Sequence, residues 1–77
     1  MHTAEAPLYA QIAARYREAI ASGALPVGAR MPSVRELMRR HTVSLSTALQ
    51  TLRQLEDRGW LEARPRVGYF VREPVQK

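Results

Sequence analysis

Cysteine is absent from the 77 residues, which excludes a disulfide scaffold and a thiolate-ligated metal site and agrees with a reducing compartment. Lysine is nearly absent too: Lys77 is the only one among 12 basic residues, and the others are all arginine. No apolar run approaches the roughly 20 residues that a membrane span needs, and the N-terminus lacks the basic-then-apolar pattern of a signal peptide. The chain therefore reads as soluble and cytoplasmic. Internal repeats, linkers and low-complexity segments are missing, as are glycine-rich phosphate loops. No Ser, His and Asp set and no acidic cluster gathers on one element: His2 falls in the lead-in and His41 is expected to face the core. No catalytic, cofactor-binding or metal-ligating residue is predicted, and the chain is not read as an enzyme.

A chain this short forms one domain with a thin core, near the size at which many proteins lean on disulfides, metals or oligomerisation. Its formal charge is +5. That balance suits a polyanionic partner, although solubility alone accounts for as much charge in many small domains. The placement is more informative. Arg30, Arg35, Arg39 and Arg40 stand against Glu36 alone in one short segment, whereas Arg15 and Arg17 cancel against Glu5 and Glu18.

The stretch from Thr42 to Gly59 organises the rest. Ala48, Thr51, Leu52 and Leu55 recur at helical spacing and form an inward stripe, leaving Ser46, Gln50, Arg53 and Asp57 on the opposite, polar face. Ser44 suits the N-cap, Gly59 the left-handed position beyond the C-terminus, and Trp60 is placed to fold back onto Leu55. A helix over about 44–58 follows. Upstream, residues 1–6 have no period or cap and are read as a disordered lead-in. Pro7 then opens a helix whose apolar residues Leu8, Ile12, Tyr16 and Ile20 recur every four, with Tyr9, Ala13 and Ala19 alongside, until Ser22 and Gly23. The connector through Pro26 and Gly28 is expected to add a very short strand at 29–31. Ser33 and Glu36 form an S-x-x-E capping box before a second helix that buries Val34, Leu37, Met38 and His41 and turns Arg35, Arg39 and Arg40 outward. Thr42 and Val43 make the corner. After Gly59, WLEAR and YFVR read as two strands joined by a turn of about four residues, 65–68, with Gly68 meeting the turn's need for glycine. The domain is assigned to 7–73, and 74–77 to a tail or the start of a linker. The predicted fold class is mainly α with a small β-hairpin: a winged helix-turn-helix with three helices and a two- to three-stranded antiparallel wing.

Four blocks carry a family resemblance: PLYAQIAARYREAIASG, ALPVGARMPSVREL, VSLSTALQTLRQLEDRGWLE and RPRVGYFV. In this order and spacing the chain resembles the winged helix-turn-helix domain of the GntR family of bacterial transcription regulators, from Pro7 to Arg72. In LEDRGWLEAR and GYFVR it is most similar to the MocR-like branch, whose members usually continue into a pyridoxal-phosphate aminotransferase-like domain. The chain stops at Lys77 and is read as a DNA-binding fragment or a stand-alone reader, with no cofactor in this chain and pyridoxal phosphate expected only where such a C-terminal domain follows. Two positions depart from the family. Thr42 stands at the corner where glycine is usual and would be strained in a left-handed backbone. Leu45 and Leu49 stand where many members carry arginine, which weighs against guanine reading by this helix.

The resemblance implies that double-stranded DNA is the partner, with the central helix in the major groove and the wing, 64–69, on the adjacent groove or backbone. It carries a DNA contact over to Arg35, for which an ion pair with Glu36 or another acid is the local alternative. Arg39, like Arg30 and Arg40, is a phosphate contact or a solvated charge. Ser33, Ser44, Ser46 and Thr47 fall in the contact region at the helix starts, where capping alone accounts for Ser44. Gln50 can pair with the N6 and N7 edge of adenine or be an ordinary surface glutamine, and Leu45 and Leu49 either pack under the wing or touch a thymine methyl, packing being preferred. Arg66 and Gly68 occupy the wing tip, helped by Arg64. Tyr9, Tyr16, Trp60, Tyr69 and Phe70 follow core spacing. Two copies on a palindromic operator, hence a homodimer, are expected. The rival readings are a winged helix that binds protein, and a regulatory N-terminal module of an aminotransferase-like protein.

Overall fold

A computed structural model describes residues 6–73; of the lead-in expected over 1–6 all but Ala6, and the whole segment 74–77, lie outside the described residues. The element order is α1 (Leu8–Ser22), α2 (Val34–His41), α3 (Leu45–Asp57), β1 (Leu61–Arg64) and β2 (Gly68–Val71). This is the anticipated three-helix, two-stranded winged helix-turn-helix.

Each helix boundary has a local cause. Pro7 precedes α1 at the cap, φ −56° and ψ 154°, one residue outside the first turn expected for it, and Gly23 ends the helix at φ 88°. At the start of α2 both arms of the capping box form: the Glu36 N–H donates to Ser33 Oγ at 3.1 Å and the Ser33 N–H donates to Glu36 Oε1 at 3.0 Å. At its end Thr42 adopts φ 53° and ψ 55°, the left-handed conformation expected at the corner, and the Val43 N–H donates to the Met38 carbonyl at 3.1 Å. Ser44 Oγ caps α3 by accepting from the Thr47 N–H at 3.2 Å. α3 stops in a Schellman arrangement, with Gly59 at φ 86°, the Gly59 N–H bonded to the Glu56 carbonyl at 3.0 Å and the Trp60 N–H to the Leu55 carbonyl at 2.9 Å.

α3 runs through the middle of the core. Ala48, Leu52 and Leu55 pack with Ala13 and Ile20 of α1, Leu37 of α2, Met31 of the connector, and Leu61 and Val71 of the hairpin. Thr51 is completely buried, and its hydroxyl donates to the Thr47 carbonyl one turn back at 2.9 Å, with the Tyr9 carbonyl 3.4 Å away. A buried hydroxyl without a partner would cost about 1 to 3 kcal/mol, so this bond is what makes a threonine tolerable there. Leu8 departs from the expected stripe and is 52% exposed. Helical side chains lean toward the N-terminus, so one in the first turn overhangs the helix end instead of the core.

β1 and β2 pair antiparallel in the register Leu61↔Val71, Glu62↔Phe70, Ala63↔Tyr69 and Arg64↔Gly68. Leu61 and Val71 thereby face the core, while Glu62, Phe70 and Arg64 share the outer face. The expected strand at 29–31 is present as one bridge, Arg30↔Phe70, flanked by bonds from the Met31 N–H to the Tyr69 carbonyl and from the Val71 N–H to the Ala29 carbonyl, both 2.8 Å. It pairs with β2, opposite β1.

Candidate nucleic-acid interface

The polar side of α3 is open. Ser46, Gln50, Arg53 and Asp57 are all exposed, opposite the buried stripe, as the spacing predicted. At the helix start, Ser44 Oγ donates to Thr47 Oγ1 at 3.2 Å and lies 3.5 Å from Ser46 Oγ, so Ser44 and Thr47 are occupied with each other and Ser46 is the freer hydroxyl. Leu45, the first residue of α3, is 54% exposed and borders a groove with Ser33, Val34, Arg35 and Met38. This overturns the expectation that Leu45 packs under the wing: the wing lies on the other side of Ser33. Leu49 is half-buried.

Ser33 also borders a second groove, with Arg30 and the wing residues Arg64, Arg66 and Gly68. The start of α2 therefore joins two concavities into one surface running from the wing tip to the first turn of α3. Ser33, Arg35, Leu45, Arg64, Arg66 and Gly68 line it, while Ser46 and Gln50 are exposed on α3 outside the two grooves.

Three arginines behave differently on or beside this surface. Arg35 forms no ion pair: among the described residues the one ion pair is Arg64 Nε with Glu62 Oε2, at 2.8 Å. The alternative of an Arg35–Glu36 pair does not form, because the Glu36 carboxylate turns back to the Ser33 N–H. That backbone hydrogen bond, joined by the charges of Arg40, Arg39 and Arg30, holds the Glu36 carboxyl below the usual carboxylate range against an opposing effect of desolvation. Arg39 thus sits in the field around Glu36, outside the two grooves. Arg64 is held by Glu62 and lies over the Phe70 ring, 4.4 Å from its centroid, so its charge is partly spent within the hairpin. Phe70 accordingly departs from the core role expected for it: it is half-buried on the outer face beneath that guanidinium.

Two features of the wing were not anticipated. The turn spans three residues, 65–67, with the Val67 N–H bonded to the Arg64 carbonyl at 3.0 Å. Arg66, at φ 68°, takes the third position of a turn with proline at its second, where a type II turn usually has glycine or asparagine. Gly68, at φ 131°, instead opens β2 beneath Arg30: a Cβ built on it would stand 3.4 Å from Arg30 Nε. Arg30, left by spacing alone as a phosphate contact or a solvated charge, is exposed and lines the wing groove with Ser33, its guanidinium beside Gly68. Only its pairing with β2 reveals this, and that pairing is not encoded locally.

Residues 8–71 match the bacterial regulatory proteins of the gntR family. The chain belongs to the gntR family. Among its gntR-like relatives, the HTH-type transcriptional regulator YdcR of Escherichia coli (strain K12) is 40% identical over 63 residues, which are 82% of this chain and 14% of YdcR. The solved structure of YtrA from Sulfolobus acidocaldarius, a GntR-family transcription factor, superposes with a TM-score of 0.85 at 34% identity, covering 96% of this chain and 63% of that one. The AraR DNA-binding domain, solved in complex with operator ORR3, gives a TM-score of 0.83 at 27% identity, covering 92% of this chain and 86% of that one. The chain thus spans only part of the length of YdcR and YtrA. Pyridoxal phosphate does not fit the residues described: none of them is the lysine that a Schiff base requires. Among the described residues no helix is long and apolar enough to cross a membrane.

Proposed function

We propose that this gntR-family chain is the sequence-specific, duplex-DNA-binding domain of a bacterial transcription regulator, acting by binding without catalysis, with α3 in the major groove and the hairpin on the adjacent groove or backbone. The observation that carries the reading is the surface on which Ser33 joins the wing groove to the groove beside α3, the latter lined by the Arg35 guanidinium, which has no ion pair among the described residues. Arg35, Arg39 and Arg66 serve as phosphate or groove contacts, and Arg30 joins them. Ser33, Ser44, Ser46 and Thr47 supply hydroxyl and amide donors at the helix starts, and Gln50 faces an adenine edge. Arg64 supports the wing more than it reaches from it, because Glu62 and Phe70 hold it, and Gly68 seats Arg30.

The functional unit spans 7–73, works in the cytoplasm and binds as a homodimer to a palindromic operator, one small module reading few bases and a pair setting half-site spacing. LEDRGWLEAR and GYFVR support membership of the MocR-like branch, in which an aminotransferase-like domain follows. The length of the complete reading frame tests that assignment.

Arg35→Ala is expected to weaken operator binding more than Arg17→Ala in titrations at one salt concentration, because Arg17 lies on α1, away from this surface. Equal losses would move the DNA face elsewhere. Binding should also fall steeply with salt as phosphate contacts release counterions. A partner retained without salt dependence would favour the protein-binding reading, for which the half-exposed Leu45 speaks.

A further inference from the structure

We propose that Leu45 reads the C5-methyl group of a thymine, so that the operator half-site carries an A·T pair beneath the first turn of α3. The inference rests on the DNA-binding reading above and names what that surface selects. Leu45 is 54% exposed, and the packing positions of α3 are Ala48, Thr51, Leu52 and Leu55, so its side chain is not needed for the core. It shares its groove with the half-buried Val34 and Met38, two further apolar side chains, and with Arg35. A small apolar strip thus lies beside a cation suited to a phosphate.

In the major groove the base edges present donors and acceptors, and thymine alone adds an apolar group, its methyl. A donor or acceptor pressed against Leu45 would lose its water without gaining a partner. A methyl loses nothing and gains burial. The charge pattern of α3 agrees. The cation that guanine O6 and N7 favour is missing from its first two turns, and Arg53 comes eight residues after Leu45, about 12 Å further along the axis. Ser46 and Gln50, the exposed residues between them, are uncharged.

The test begins with duplexes selected by the 77-residue protein from a random pool. Each thymine of the half-site is then replaced in turn by deoxyuridine, which removes only the methyl. At one position per half-site the wild-type protein is expected to bind about fourfold more weakly, the loss of one buried methyl. Leu45→Ala should bind the thymine and uracil duplexes equally, and Leu45→Met, which keeps an apolar reach, should retain the discrimination. Circular dichroism checks that both variants fold. Salt-dependent, sequence-specific binding that ignores uracil at every position would overturn the role of Leu45 while leaving the DNA-binding reading intact, and so would discrimination that survives in Leu45→Ala. Failure to retain any duplex would sink both.

Discussion

Thr42 and Arg66 hold left-handed backbone without being glycine, at φ 53° and 68°. For an L-residue that conformation costs about 1 to 2 kcal/mol, and glycine returns about 0.5 to 1 kcal/mol of the relief through its freer unfolded chain. Thr42→Gly is therefore expected to stabilise the domain by on the order of 0.5 to 1 kcal/mol, seen as a melting temperature raised by a few degrees. No rise would mean that the Thr42 side chain makes a compensating contact. The two positions differ in legibility. Thr42 lies between two helices whose caps can be read locally, so its strain was foreseen. In Pro65-Arg66-Val67-Gly68 the glycine points to a turn ending on itself, whereas strand register puts Gly68, at φ 131°, at the start of β2 and Arg66, at φ 68°, within the turn. The contacts of Arg64 with Phe70 and of Arg30 with Gly68 were hidden for the same reason: they depend on which strand lies beside which.

At the scale of elements, α2 depends most on its ends. It has eight residues, too few to be helical alone, and one fully buried side chain, Leu37. Ser33→Ala removes its N-cap and should destabilise the domain by about 1 kcal/mol in urea titrations. Glu36 adds a pH signature. Its carboxyl is held below its ordinary range, so its stabilisation is complete at neutral pH, fades as pH falls from about 4.3 downward, and is gone below its folded value. The stability gap between wild type and Glu36→Gln should therefore narrow on acidification; a constant gap would show that the ionised carboxylate is not what stabilises the cap. All three helices and the hairpin were legible because caps, glycines and apolar spacing are local signals. The tie between the end of α2 and α1 was not: the Tyr16 hydroxyl and His41 Nε2 are hydrogen-bonded at 3.0 Å with their rings edge to face, across 25 residues of sequence.

For the whole molecule the decisive fact is how few side chains form the core. Leu52, completely buried, belongs to the one cluster that joins the helices to the hairpin. Leu52→Ala should cost about 2 to 5 kcal/mol, a large part of what so small a domain has. A urea midpoint within experimental error of wild type would mean that the core collapses around the lost volume. The candidate surface was half legible. Its residue types and order could be read, but its continuity through Ser33 and Arg30 needed the wing to be seen against α2.

The bonds that Ala29 and Met31 make with β2 have a mechanical consequence. They clamp the hairpin to the segment between α1 and α2, so the wing cannot swing on its own like a door on the end of α3. It moves as a stiff lever with that segment, and a tug on the chain just beyond Val71 is transmitted to the base of the second helix. Amide exchange at Met31 and Val71 should then slow and quicken in step, whichever end of the lever is disturbed.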